Sequence, residues 1–118
     1  MRMTMLCLLC SMGCASAQAV GGPIEHARLH DGVYEGSAKH INSATVRLVV
    51  ENKRVTAVTL EAFDASPYGQ KAREPIPRRM LEQQSTKVDV VSGATEASNI
   101  IMNAAHAALQ KSYGGVSH

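Results

Sequence analysis

Hydrophobic and polar positions alternate with a period of two over two neighbouring stretches. Val46, Leu48 and Val50 interleave with Thr45, Arg47 and Glu51, and then Thr56, Val58 and Leu60 stand opposite Val55, Ala57 and Thr59. Alternation of this kind predicts strands with one face on a core and the other in water. Asn52 and Lys53 lie between them, a spacing that suits a tight hairpin because Asn tolerates positive φ. The earlier stretch from Gly32 to Ala38 has strand-forming residues bounded by turn formers, so an antiparallel meander of about three strands is expected. Beyond Leu60 the alternation dissolves through Asp64, Ser66, Pro67 and Gly69, which predicts an irregular connection.

In the C-terminal half the period lengthens. Pro75 and Pro77 suit the first turn of a helix, and Ile76, Met80 and Leu81 recur at helical spacing up to about Ser85. A longer helix is predicted from the apolar face Ala97, Ile101, Ala104 and Ala108 and the polar face Asn99, Asn103, His106 and Gln110, with Gly114 and Gly115 to stop it. Strands followed by helices indicate an α+β domain over residues 31–113: a small antiparallel β-meander with a short helix and a C-terminal amphipathic helix packed on it. Residues 18–30, with Gly21, Gly22 and Pro23, are expected as a linker, and 114–118 as a tail. His26 and His30 are four apart but lack a third ligand of matching spacing, so they read as solvated; His106, on the polar stripe, reads as solvent-facing.

The first fourteen residues carry Arg2, an apolar run from Met5 to Met12 and all three cysteines, Cys7, Cys10 and Cys14. The run is too short to span a bilayer as a helix, and Ala15, Ser16 and Ala17 offer a cleavage site, so residues 1–17 are expected to be an export signal and the protein periplasmic or extracellular. Ser11-Met12-Gly13-Cys14 leaves open a lipoprotein anchored through Cys14. Either outcome leaves the mature chain without a free thiol for a disulfide, a metal or nucleophilic chemistry. Formal net charge is +2, and loss of Arg2 leaves 11 basic against 10 acidic residues, a balance that argues against nucleic acid as a partner. Aromatic residues make up only 3%, with no Trp, so packing relies on Val, Ile, Leu and Ala.

The chemistry is concentrated in Asp89-Val90-Val91-Ser92-Gly93-Ala94-Thr95, directly before the last helix. A helix start leaves backbone N–H groups unpaired and carries the positive end of the macrodipole, which suits a phosphate. Gly93 and Ala94 keep side chains small, and Ser92 and Thr95 supply hydroxyls, one to donate and one able to become a phosphate ester. Local physics alone favours Asp, Ser and Thr as ordinary helix caps.

The stretch from Asp31 to Leu109 resembles the FMN-binding domain family of periplasmic electron-transfer subunits, membrane regulators of nitrous-oxide respiration and extracellular flavin reductases. Asp31-Gly32-Val33-Tyr34-Glu35-Gly36 is similar to that family's opening strand, Val55-Thr56-Ala57-Val58 to part of its hairpin, and Gln84-Ser85 with Val88 to Thr95 to its flavinylation motif. The resemblance implies FMN as cofactor, joined through its phosphate to Thr95. It implies Asp89 as the leading acidic residue of the motif, and Ser92, Gly93 and Ala94 as the bend that admits the phosphate. Its implied partners are a dedicated flavin transferase and redox proteins, some of them membrane-bound. Phe63 and Tyr68, in a connection where the family often has a Gly-containing loop, are candidates for core packing or for flanking the isoalloxazine.

No combination of base, nucleophile and oxyanion donors points to a particular substrate. Three functions therefore stand side by side: an electron relay outside the cytoplasm, the flavin-bearing subunit of an extracytoplasmic reductase, and an exported binding module without cofactor.

Overall fold

The computed structural model describes residues 21–114; the expected export signal with Cys14, residues 18–20 of the expected linker and residues 115–118 of the tail lie outside them. Three antiparallel strands, β1 (Gly32–Lys39), β2 (Ser43–Glu51) and β3 (Arg54–Asp64), form one sheet in chain order. A 3-10 turn (Gly69–Ala72) leads into α1 (Pro75–Gln83), and an extended segment leads to α2 (Thr95–Gly114). This is the expected small α+β fold.

Asn52 and Lys53 take φ of 56° and 58°, the paired positive values of a type I′ hairpin, whose twist matches that of the strands it joins. The Asp31 carboxylate accepts both turn N–H groups, Asn52 at 3.0 Å and Lys53 at 3.0 Å, and so seals the hairpin from outside.

β3 runs four residues past the expected end of alternation. Register shifts opposite Thr45/Val46 and Val49/Val50 insert an extra residue twice, so the core-facing pairs are Val50↔Val55, Leu48↔Val58, Val46↔Leu60 and Ala44↔Phe63. Inward positions on β3 thus fall at 55, 58, 60 and 63, a sequence with no constant period.

α2 lies across the inner face of β1 and β2. It comes so close that a Cβ on Gly36 would lie 2.9 Å from the Ala107 carbonyl carbon and nearer still to Ala108 N and Ala104 O. Gly36 facing Ala104 and Ala108 sets that approach. The buried face of α2 is wider than the predicted stripe and also takes in Ile100, Met102, Ala105, Leu109 and Ser112.

Residues 22–29, expected as a linker, pack onto the domain. Ile24 and Leu29 are buried, Pro23 pairs with Ser85, Ile24 N donates to Gln84 O at 2.9 Å, and Thr86 N donates to Gly22 O at 3.0 Å. His26 bonds Gln84 Oε1 at 3.1 Å and His30 Nδ1 bonds Ser112 O at 3.0 Å, so both rings are held by the domain. His106, expected to face solvent, is half-buried, its Nδ1 is enclosed without a hydrogen-bond partner, and desolvation lowers its pKa.

Candidate functional site

α1 ends on Gln84 in a left-handed conformation (φ 51°), which turns the chain toward α2. From there Val88 is buried, Asp89 is exposed, and Arg79 Nη1 donates to Asp89 O at 2.7 Å. Val91 to Ala94 form a turn closed by Ala94 N to Val91 O at 2.9 Å, with Gly93 at φ +83°, the third-position signature of a type II turn. Open space surrounds Gly93, so the backbone angle is what calls for glycine there.

Ala94 O accepts the first bond of α2, from Ser98 N at 2.9 Å, which makes Ala94 the N-cap. An alanine has no side-chain oxygen for the first-turn N–H groups. Neither Ser92, two residues early, nor Thr95, already the first helical residue, fills the role. Among the described residues no hydrogen bond holds the hydroxyl of Ser92 or Thr95, and both residues are exposed. The ordinary-cap interpretation of these residues therefore does not describe this helix start. The outcome is an exposed threonine hydroxyl at the positive end of a twenty-residue helix whose leading amides meet no side-chain acceptor among the described residues.

Thr95 opens onto a groove of about 240 Å³ lined by Gly93 to Ala97 on one side and by Ile41, Asn42, Ser66 and Gly69 on the other. The β1–β2 turn supplies Ile41 and Asn42, and the connection after β3 supplies Ser66 and Gly69. Gly69 is tightly seated: a Cβ on it would stand 2.9 Å from Ala65 Cβ and 3.0 Å from Ala97 Cβ. His40 Nδ1 and Glu96 Oε2, 3.6 Å apart at the surface, link the β1–β2 turn to the helix start. Ile41 is 76% exposed and Tyr68, next to Gly69, is 69% exposed. Phe63 is half-buried against the core, with the Arg73 guanidinium 5.4 Å from its ring centroid.

Of the predicted site residues, Gly93, Ala94 and Thr95 meet in the groove, whereas Ser92 and Asp89 stand outside its lining. Ala94 points its methyl into the core, so its smallness serves packing as well as access. Sequence reasoning missed Ile41, Asn42, Ser66 and Gly69; an isoleucine inside the polar turn His40-Ile41-Asn42 was the available signal. A second opening of about 480 Å³ lies at Leu29, His30, Asp31, Asn52 and Lys53, where the Asp31 carboxylate is engaged by the hairpin amides. No cluster of three His, Cys, Asp or Glu able to hold a metal occurs among the described residues. No helix there is long and apolar enough to cross a membrane.

A model of the FMN-binding domain family matches residues 36–110. An uncharacterized protein of Treponema pallidum (strain Nichols) is 39% identical over 87 residues, which cover 72% of this chain and 24% of that protein. The chain thus spans about a quarter of the length of this relative. A crystal structure of a Clostridium perfringens protein, at 20% identity, superposes with a TM-score of 0.63 over 76% of this chain and 93% of that one, a likeness of fold.

Proposed function

The chain belongs to the FMN-binding domain family, with FMN as its cofactor, and from that premise we propose that it is an extracytoplasmic electron carrier holding FMN as a phosphoester on Thr95. The observation that carries this reading is the exposed Thr95 hydroxyl at the head of a helix whose cap residue, Ala94, leaves the first amides free. Bound FMN supplies one- and two-electron chemistry. The protein's own residues have simpler duties. Gly93 allows the bend, the leading amides of α2 favour the phosphate charge, and the groove between Ile41 and Ser66 gives the attached group a surface. A covalent tether suits a compartment where a diffusible cofactor would be lost, which agrees with the leader-like first seventeen residues. A flavin transferase makes the attachment, and redox proteins, including membrane-bound ones, exchange the electrons.

The relative, of which the matched stretch covers only 24%, supports a second reading, in which the module is the flavin-bearing part of a larger reductase. Purified protein that accepts electrons from a reduced flavin donor but reduces no organic acceptor alone favours the relay.

The test of attachment is co-expression with a flavin transferase, followed by denaturing gel fluorescence and intact mass. The parent and Thr95→Ser carry one FMN and fluoresce; Thr95→Ala does neither. Because Thr95 is exposed and is not the cap, Thr95→Ala changes stability by only about 0.5 kcal/mol or less. Fluorescence surviving denaturation in Thr95→Ala would reject this residue as the attachment point. The same mass reports cleavage after Ala17 or a lipid on Cys14.

A further inference from the structure

Ser98 is wholly buried, 0% exposed, one turn into α2. Its hydroxyl nevertheless reaches both ends of the Val91–Ala94 turn, donating to Ala94 O at 2.7 Å and accepting from Val91 N at 3.1 Å. A helical serine often bonds the carbonyl four residues back. The second bond, to an amide seven residues back and outside the helix, is not part of that habit. It ties the incoming chain to the helix just where Gly93 lets the backbone reverse. On the other side, Arg79 holds the same segment through Asp89 O.

Resting on the reading that Thr95 is esterified, we infer that Ser98 is a positioning residue for the modification, locking the 91–95 segment so that Thr95 Oγ is presented in one place. In that transfer the Thr95 oxygen forms a bond to the flavin-side phosphorus of a flavin dinucleotide while the phosphoanhydride bond breaks. The nucleoside monophosphate leaves with the electron pair, and the hydroxyl proton passes to a base of the transferase. Ser98 touches none of the reacting atoms. It acts by restricting the nucleophile before the encounter, an effect that appears in turnover and not in recognition.

α2 contains its own control. Ser112 is also wholly buried, and its hydroxyl donates to Leu109 O at 2.7 Å, far from the turn. The experiment follows covalent flavin incorporation into the parent, Ser98→Ala and Ser112→Ala by a flavin transferase supplied with flavin dinucleotide, alongside amide hydrogen exchange of the unmodified proteins. Ser98→Ala is expected to lower kcat at least about tenfold with KM within about twofold, and to lose protection at the Val91 amide. Ser98→Cys, close in size but a weaker donor, falls between, and Ser112→Ala matches the parent in both readouts. Parental kcat in Ser98→Ala, or equal slowing in Ser112→Ala, overturns the role of Ser98 alone. A parent chain left unmodified overturns the Thr95 reading and this inference with it.

Discussion

Replacing Gln84 by alanine should destabilise the domain far more than its position between two helices suggests. Gln84 is 7% exposed, and its amide imitates a neighbouring strand on the free edge of β3: Oε1 accepts from Val55 N at 3.2 Å and Nε2 donates to Val55 O at 3.0 Å. The same amide donates to Leu81 O at 2.8 Å and meets the His26 ring at 3.1 Å. Gln84→Ala therefore strands two backbone groups of Val55, a residue only 2% exposed. Each buried polar group left without a partner costs about 1–3 kcal/mol, and partial access of water to the edge places the sum near 3 kcal/mol. For a domain of roughly 100 residues each kcal/mol moves Tm by about 4–8 °C, so a fall of about 12–24 °C is expected. With no Trp in the chain, far-UV circular dichroism of the unmodified protein is the suitable probe, in urea and on heating. Gln83→Ala, one residue earlier and exposed, serves as the reference and should stay within about 0.5 kcal/mol of the parent. A Tm decrease below about 4 °C for Gln84→Ala, with an unchanged urea slope, would refute the edge-pairing argument.

Two further outcomes follow from the packing. Gly36→Ala places a methyl group against the backbone of α2 at Ala104, Ala107 and Ala108, which cannot retreat as a side chain would; a loss of about 3 kcal/mol or more in urea unfolding is expected, and parental stability would contradict the helix placement. His106 is desolvated and its folded pKa lies below the ordinary 6.5, so the unfolded chain takes up the proton first. Stability is then lost as pH falls through 6.5 toward the lower folded value. His106→Gln should remove this slope, seen as a variant-minus-parent difference that changes between pH 7 and pH 5; parallel curves would count against it.

The elements with a single unbroken period were legible from the chain. β2 keeps strict alternation because its whole length is paired without insertion, and the Asn52-Lys53 hairpin announces itself through residue chemistry. β3 was legible as a strand to Leu60, but its face was not: the bulge at Thr56 puts Val55 on the core side with Val58 and Leu60, where strict alternation sets it opposite them, and the second bulge at Glu61 ends the period altogether. Residues 22–29 were hidden for a different reason: Ile24 and Leu29 are isolated apolar residues among glycine, proline and charge, and their burial depends on α2 and the 84–86 segment, distant in sequence. His106 illustrates the same limit, for helical spacing places it on the polar stripe while in the fold it is half-buried beside an opening shared with Gly21 to Pro23, Glu25 and Arg28. Gln84 was visible as part of a motif, but its service to the edge of β3 requires knowing that Val55 has no other partner on that side.

At the helix start the sequence held a different kind of information. Asp89, Ser92 and Thr95 are residue types that usually cap, and a shift of two positions for Ser92 or one for Thr95 would have put a hydroxyl where Ala94 now stands. Alanine there forgoes about 1 kcal/mol that serine or aspartate would supply. The buried hydroxyl of Ser98 is spent on the turn and leaves the leading amides unsatisfied by side chains, while the exposed hydroxyl of Thr95 is left free. A helix start selected for stability alone would use one of these oxygens as its cap. One that must receive a phosphate on its first residue has reason to keep them vacant, because a side-chain cap would compete with the anion for the same N–H groups. That local cost is what supports the proposed esterification of Thr95.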